Sequence, residues 1–367
     1  MVKTTCSELC AALKRVKTAA RDAHGGTSTF IFSDGKVEVQ SSGLTSIAKT
    51  WFDADCSDNQ TVRVDGAKVL AILETANSDS ALQVDLTKAN LIFRFEGANL
   101  KIPLLSEETF LFDTAVWGKA VPAFSLSGKE LKKILSKVAF AAARKDIRYY
   151  LNAILFQADS KVMSVVATNG HMLAETKSNQ PMAVPEMLMP IEVAGMLSKV
   201  VSDDEKVEFF ALTAKDTVEG KLRYNGFGIK TGSFELTSAL VEGKFPDWKR
   251  IVSQPGQTSI QVSKSDLENA VERIDLFGSG DDSVSFELSG NKLVISDFSG
   301  EGTDQIEATS AGTAWNSKFN PSYVLSALST VSDVVELLVD CEDGGKPLAI
   351  KSQGDDETTI IIMPMRI

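Results

Sequence analysis

Histidine is scarce: His24 and His171 are the only two in 367 residues, so a histidine-rich metal centre has no ligands to draw on. Cysteine is scarce as well. Cys6, Cys10, Cys56 and Cys341 contain no CxxC pair and no nearby histidine, which argues against zinc and for four reduced thiols, packed or idle. No metal site is expected. No apolar run approaches the roughly 18 residues of a membrane span. The N-terminus offers no signal-peptide core either, because Leu9–Leu13 is short and Lys14, Arg15 and Lys17 follow it. A cytoplasmic protein is expected. The chain also lacks a GxxxxGK[ST] phosphate loop, an HExxH and a GxSxG motif. Gly226, Gly228 and Gly232 are loosely spaced among strand-like residues, a turn or bulge rather than a dinucleotide fingerprint, and no cofactor is expected.

What the chain does have is repetition. A hydroxyl residue, an acidic residue three places on and then an apolar helical run occur at Thr5–Leu9, Ser127–Leu131 and Ser263–Leu267. Each is a capping box, which satisfies amides left free at a helix start. The three starts open three thirds of the chain, so one domain is expected three times, over residues 1–121, 122–254 and 255–367. The apolar stripes repeat as Leu9, Leu13, Val16 and Ala20, then Leu131, Leu135, Val138 and Ala142, then Leu267, Val271 and Ile274. A second amphipathic helix is predicted later in each third, at Val64–Asn77, Pro190–Val201 and Asn320–Val331, the last two opening on a proline.

Elsewhere the apolar period is two. Thr29–Phe32 and Lys36–Gln40 flank Ser-Asp-Gly, Leu82–Leu86 and Leu91–Phe95 flank a polar turn, and Val284–Leu288 and Leu293–Ser296 flank Ser-Gly-Asn. Further strands are predicted at Ala153–Gln157, Val162–Thr168, Val207–Leu212, Lys221–Tyr224, Phe227–Thr231, Leu348–Lys351 and Thr358–Met363. The fold class is α+β, each third backing two helices with antiparallel sheet. Repeats stacked edge to edge can pair strands across their joins. Six half-repeats then form an arc, and closing it into a ring needs a second copy of the chain.

A net charge of −11 argues at first against nucleic acid, but its distribution matters more. Lys14, Lys17 and Arg21 share one side of the first helix, and Lys129, Lys133 and Lys137 one side of the next, with Arg144, Lys145 and Arg148 beyond it. The third helix is acidic, with Glu268, Glu272 and Asp275 around Arg273. Basic faces on the shared side of an arc fit phosphate contact without base reading, although solubility alone would explain the first helix. His171, within Ala167–Ala174, is the best candidate for a general base. The plainer reading makes Asn169-Gly170 a tight turn and gives His171 a backbone partner. No nucleophile or metal motif accompanies it, so no catalytic residue is assigned. An enzyme using His171 and an exported β-repeat adhesion protein are the competing classes.

Arg148-Tyr149-Tyr150-Leu151-Asn152 and Ala167-Thr168-Asn169-Gly170-His171-Met172-Leu173-Ala174 resemble the central domain of the bacterial DNA polymerase III β subunit family, the replicative sliding clamps. Glu242–Arg250 is similar to the family's stretch leading into the third domain, and Phe319-Asn320, Ser322–Leu325 and Met363–Arg366 to its end. The resemblance implies three tandem clamp domains per chain and a head-to-tail homodimer, a six-domain ring lined by helices with duplex DNA in the hole. It implies no reaction and no cofactor. Such a ring tethers the replicative polymerase, the clamp loader, other polymerases and repair proteins to double-stranded DNA for processive synthesis. The implied DNA-side residues are Lys14, Arg15, Lys17, Arg21, Lys133, Lys137, Lys145, Arg148, Tyr149 and Tyr150. Partner peptides, with a glutamine and paired hydrophobics, would dock between domains two and three. The cleft residues are Leu151, Thr168, Gly170, His171, Met172, Leu173, Pro246, Arg250, Ile251, Asn320, Tyr323, Val324, Met363, Pro364, Met365 and Arg366. Met172 departs from the arginine common at its place, and domain one lacks the expected Pro-Ile-Leu phrase near a shortened His24-Gly25-Gly26. Closure of the ring is assigned to Phe110, Leu111 and Phe112 against Leu276 and Phe277.

Overall fold

The computed structural model describes residues 1–19, 26–43, 45–56, 59–106, 117–159, 162–214, 224–278, 283–297, 299–310 and 314–365. Within them one phrase, a strand, a helix and three strands, recurs six times. The first copy is β1 (Val2–Thr5), α1 (Cys6–Ala19), β2 (Thr27–Ser33), β3 (Lys36–Ser42) and β4 (Ser46–Asp53), trailed by a short β5 (Asp55–Cys56). The second is β6 (Gln60–Asp65), α2 (Gly66–Leu73), β7 (Ala81–Leu86), β8 (Asn90–Phe95) and β9 (Ala98–Pro103). Next come β10 (Trp117–Ser127), α3 (Gly128–Val138), β11 (Ala153–Asp159), β12 (Val162–Thr168) and β13 (Met172–Ser178). The fourth is β14 (Glu186–Pro190), α4 (Ile191–Val200), β15 (Lys206–Ala214), β16 (Tyr224–Lys230) and β17 (Phe234–Ala239). A single turn, α5 (Lys249–Val252), leads to β18 (Thr258–Ser263), α6 (Lys264–Asp275), β19 (Val284–Ser289), β20 (Lys292–Ser296) and β21 (Thr303–Ser310). The last copy is β22 (Trp315–Phe319), α7 (Pro321–Leu328), β23 (Val334–Val339), β24 (Leu348–Ser352) and β25 (Thr358–Ile362).

Two capping boxes close reciprocally. The Glu8 amide donates to Thr5 Oγ1 while Glu8 Oε2 accepts from the Thr5 amide, both at 3.2 Å. Ser127 and Glu130 repeat the exchange at 3.2 and 3.0 Å. At Ser263 the forward bond, from the Asp266 amide, is 3.4 Å, and the acid there is a methylene shorter than glutamate. The predicted stripes are buried at Leu9, Leu13 and Val16, then Leu131, Leu135, Val138 and Ala142, then Leu267, Val271 and Ile274, while Ala20 lies outside the described residues. Each large side chain among them contributes about 1.5–3 kcal/mol by leaving water.

The second helices are shorter than expected at both ends, and in α2 and α4 the preceding strand claims the first residues. Val64 pairs with Ser28 and Asp65 with Thr27, so α2 starts at Gly66 with Asp65 as its cap, accepting from the Lys68 amide at 2.9 Å. Pro190 pairs with Ala153 at the end of β14, leaving α4 to begin at Ile191. Pro321 does open its helix, capped by Asn320. Of the predicted strand Lys221–Tyr224, residues 221–223 lie outside the described residues, and Tyr224 begins β16.

Contacts divide the chain into two compact units, Met1–Lys132 with Gly195–Leu240, and Lys133–Ala194 with Val241–Ile367. Residues 122–254 therefore contribute to both, and antiparallel strand pairing is the reason. In the first unit β17 pairs with β4, from Phe234 opposite Thr50 to Ser238 opposite Ser46. This makes one eight-stranded sheet of order β10-β15-β16-β17-β4-β3-β2-β6, and a five-stranded sheet runs β5-β1-β7-β8-β9. In the second unit β13 pairs with β25, giving a twelve-stranded sheet of order β14-β11-β12-β13-β25-β24-β23-β18-β21-β20-β19-β22.

Arg15 ties the first unit together. Its Nη2 donates to both Glu205 oxygens at 2.7 and 2.8 Å, its Nε to the Val200 carbonyl at 2.9 Å and its Nη1 to Ser233 Oγ at 3.0 Å. The guanidinium carbon sits 4.8 Å from the Phe234 ring centroid. Burial would raise the Glu205 carboxyl, but the Ser202 amide, Arg15 and Thr231 together hold it below the usual carboxylate value. Arg15→Met should cost about 2 kcal/mol in urea unfolding at neutral pH. The difference should be fully present above pH 4.5, the ordinary glutamate value, and shrink as pH falls through the depressed folded value of Glu205.

Candidate peptide cleft and nucleic-acid interface

The turn between β12 and β13 is built by its own side chains. Thr168 Oγ1 donates to the Met172 carbonyl at 2.6 Å and accepts from the Gly170 amide at 3.1 Å. Asn169 Oδ1 accepts from the His171 and Met172 amides at 2.8 and 2.9 Å, the fold-back expected of Asn in a turn. Gly170 has φ of +92°, and a Cβ there would lie 3.1 Å from Arg148 Nη1. Arg148 lies against the turn, donating from Nη2 to the Asn169 carbonyl at 3.3 Å and to Asp146 Oδ2 at 2.8 Å. The Arg148 side chain, and then its backbone amide, draw the Asp146 carboxyl down to about 2. The Met363 amide donates to the His171 carbonyl at 2.8 Å, fastening the end of β25 to the turn.

A segment crossing the sheet completes the site. Its Val241 amide donates to the Leu188 carbonyl at 2.9 Å, and Phe245 and Trp248 bury themselves among Leu155, Val166, Leu173, Leu188 and Ile361. Trp248 Nε1 donates to Gln157 Oε1 at 3.2 Å. These anchors leave Pro246 and Ile251 at the surface, the latter 37% exposed. The result is a cavity of about 220 Å³ lined by Leu151, Thr168, Gly170, His171, Met172, Leu173, Pro246, Ile251 and Met363, with Arg148, Tyr150 and Ile361. It is smaller than the ~300–1,000 Å³ of a small-molecule pocket, so it suits side chains of a peptide better than a whole ligand.

Other cleft candidates fall elsewhere. Arg250 lines a neighbouring cavity of about 1050 Å³ that shares Ile251 and Met363. Asn320 caps α7, and Tyr323 reaches the site through its ring, stacked on His171 at 6.2 Å and 18°. The ring of His171 thus has an aromatic neighbour, and it is the carbonyl that takes the backbone partner expected for the side chain. Val324 is fully buried in α7 and is not among the residues lining this cavity. Pro364 and Met365 are half-buried beyond the cavity, the Met365 amide bonded to the Lys318 carbonyl at 2.8 Å, and Arg366 lies outside the described residues. Ile361 was missed, although its period of two with Met363 and its place opposite Leu173 put it on the cleft face. Arg148 and Tyr150, assigned to DNA, line the cleft as well.

The cations divide into committed and available ones. Arg15 belongs to the Glu205 network, and Lys137, with 14% of its side chain exposed, is held by Asp355 at 2.8 Å and Thr358 at 2.6 Å. Each is bound within the fold rather than presented freely to solvent. Lys14 pairs with Glu74 at 3.0 Å yet keeps 54% of its side chain exposed, and Lys17 is half-buried. Lys133 is exposed on α3. The loop after α3 exposes Lys145, Ile147, Arg148 and Tyr149, with Tyr149 set edge-on to Tyr150. Arg21 lies outside the described residues, as do Phe110, Leu111 and Phe112. Leu276 and Phe277, at the end of α6, are 84% and 57% exposed. Gly170→Ala should cost about 1–2 kcal/mol of stability in urea unfolding, since a side chain there meets both the positive φ and Arg148.

Known proteins with this arrangement are informative. Residues 125–247 match the family described as DNA polymerase III beta subunit, central domain, and residues 249–366 the C-terminal domain of the same subunit. A beta sliding clamp of Pseudomonas putida is 23% identical over 314 residues, covering 83% of this chain and 82% of that one. The crystal structure of the DNA polymerase III subunit beta from Pseudomonas aeruginosa superposes with a TM-score of 0.89 over 100% of both chains at 20% identity. A sliding clamp from Bartonella birtlesii, solved bound to griselimycin, gives 0.86 at 21% identity, over 100% of this chain and 99% of that one. With the two family matches spanning roughly two thirds of its length, the chain belongs to the DNA polymerase III beta subunit family.

Proposed function

We propose that the chain is a DNA sliding clamp, a non-catalytic processivity factor that closes as a homodimer around duplex DNA in the cytoplasm and tethers the replicative polymerase. No described helix is long and apolar enough to cross a membrane. The observation that carries the ring is the pairing of third strands. Of six, β4 joins β17 and β13 joins β25. Among the described residues, β9 pairs only with β8, and the Thr303–Glu307 part of β21 only with β20. These two third-strand edges, unpaired among the described residues and one near each end of the chain, call for a second copy: β9 of one subunit against β21 of its partner, twice, closes the ring.

Leu276 and Phe277 flank that edge, the Phe277 ring packing against Gly302 just before β21. In this reading residues 1–121, 122–254 and 255–367 are three clamp domains. Lys14, Lys17, Lys133, Lys145, Arg148 and Tyr149 meet phosphates in numerous, weak, sequence-blind contacts that permit sliding. The cleft around Leu173 takes the short hydrophobic peptides of the polymerase, the clamp loader and repair proteins, and Met172 gives it an adaptable apolar wall. Tethering raises the effective concentration of the enzyme at the primer end.

Loaded by a clamp loader on nicked circular DNA, the protein should stay on the circle and be lost when the DNA is linearised. Equal retention on both forms would remove the ring. Light scattering should give the mass of two chains, and the double substitution Leu276→Asp, Phe277→Asp should give one, with the unfolding midpoint of the monomer unit preserved because both side chains are exposed.

A further inference from the structure

Burial separates the methionines of this chain. Met163, Met172, Met187, Met189 and Met196 are buried, Met182 and Met365 are half-buried, and Met1 and Met363 are 47% and 39% exposed. Of the two exposed ones, Met363 stands at the cleft, where it and Ile251 line both the cavity of about 220 Å³ and its neighbour of about 1050 Å³. Its backbone is fixed there. Met172 pairs with Ile362 at the end of β25, and the Met363 amide then donates to the His171 carbonyl at 2.8 Å. Met363 is thereby held on the wall that the two cavities share.

A thioether in that place has two properties. As a soft apolar group it packs against whatever large side chain enters the cleft. As an accessible sulfide it is also open to a peroxide, which converts it to a polar sulfoxide. A sulfoxide oxygen needs a hydrogen-bond donor, and two donors of the smaller cavity are already committed. Thr168 Oγ1 donates to the Met172 carbonyl, and Arg148 donates to Asp146 and to the Asn169 carbonyl. Beside Ile251 the new oxygen is solvated by water that an entering apolar side chain must strip away.

We propose that Met363 is an oxidation site through which a peroxide reversibly lowers the affinity of the cleft for apolar peptide side chains. In the step, a lone pair on Sδ attacks one peroxide oxygen, the S–O bond forms and the O–O bond breaks. The departing oxygen takes the proton of the transferred one and leaves as water, so the sulfide is oxidised and the peroxide reduced. Methionine sulfoxide reductases, with a thiol as reductant, remove the oxygen again. Met172, on the same cleft, is only 3% exposed and is shielded by the fold. The oxidation site stands on burial and position alone; its effect on a peptide rests on the function proposed above.

The test treats the full-length protein with graded hydrogen peroxide. Peptide mapping reads sulfoxide at each methionine, and the binding probe is a labelled pentapeptide carrying a glutamine and two large apolar side chains. Met363 should oxidise ahead of Met172 and the other buried methionines. Affinity should fall about tenfold as Met363 converts, and reductases of both stereospecificities with dithiothreitol should restore it. Met363→Leu, whatever its own starting affinity, should keep that affinity through the same treatment. Bound peptide should slow the oxidation of Met363 but not of Met1. An unreactive Met363, an affinity unchanged by its full conversion, or an equal loss in Met363→Leu would overturn the proposal. Recovery with dithiothreitol alone would also sink it, because that assigns the loss to the Cys341 thiol on the larger cavity. Failure of the untreated protein to bind the peptide would instead overturn the peptide cleft and the affinity effect with it, while the map would still decide whether Met363 oxidises selectively.

Discussion

A strand edge is a row of backbone donors and acceptors that must find partners, and the third strands of the six repeats are where that demand shapes this protein. β4 answers it with β17, and β13 with β25, each partner being more than a hundred residues away in sequence. The joins convert repeats that could each bury only one face into long continuous sheets. They also explain why contacts gather residues 195–240 with the N-terminal unit and residues 133–194 with the C-terminal one.

The cleft is a by-product of one join. Pairing of β13 with β25 sets Leu173 opposite Ile361 and Met172 opposite Ile362, and brings the Met363 amide to the His171 carbonyl. The apolar face so created must be covered. Phe245 and Trp248 cover most of it, and the part they leave open, between Pro246 and Ile251, is the cavity. Adaptability follows from that origin: the walls are methionine and aliphatic side chains rather than a rigid polar constellation. Farther along this face the lining turns polar, with Glu175 buried opposite Thr359 and accepting from Ser164 Oγ.

Charge shows most clearly how much a sequence conceals. Lys133 and Lys137 stand one helical turn apart and look equivalent on a wheel, yet one is exposed and the other is clasped by Asp355 and Thr358 from the far end of the chain. Arg15 and Lys14 are adjacent, yet Lys14 pairs with Glu74 at the surface while Arg15 is drawn into a carboxylate, a carbonyl and a hydroxyl from distant residues. Nothing local distinguishes the members of either pair, because the deciding partners are remote in sequence. β4 went unread for a related reason: its inward residues are Ser46, Ala48 and Thr50, too small and polar to display a period of two.

The amino-acid sequence alone determined where the first helix of each third begins, which stripes those helices bury and where hairpins turn. Each of these depends on hydrogen bonds and periodicities spanning only a few residues, as at Thr5 with Glu8 or Ser127 with Glu130. It also carried the words around His171 and Met363 that mark the family and most of the cleft. Tertiary structure alone decided which third strands pair, which cations remain available, that Val324 is core, and that Ile361, Arg148 and Tyr150 face the cavity. Those outcomes depend on which distant segments meet, and the free energy of a strand join or a buried ion pair belongs to both partners and is written in neither.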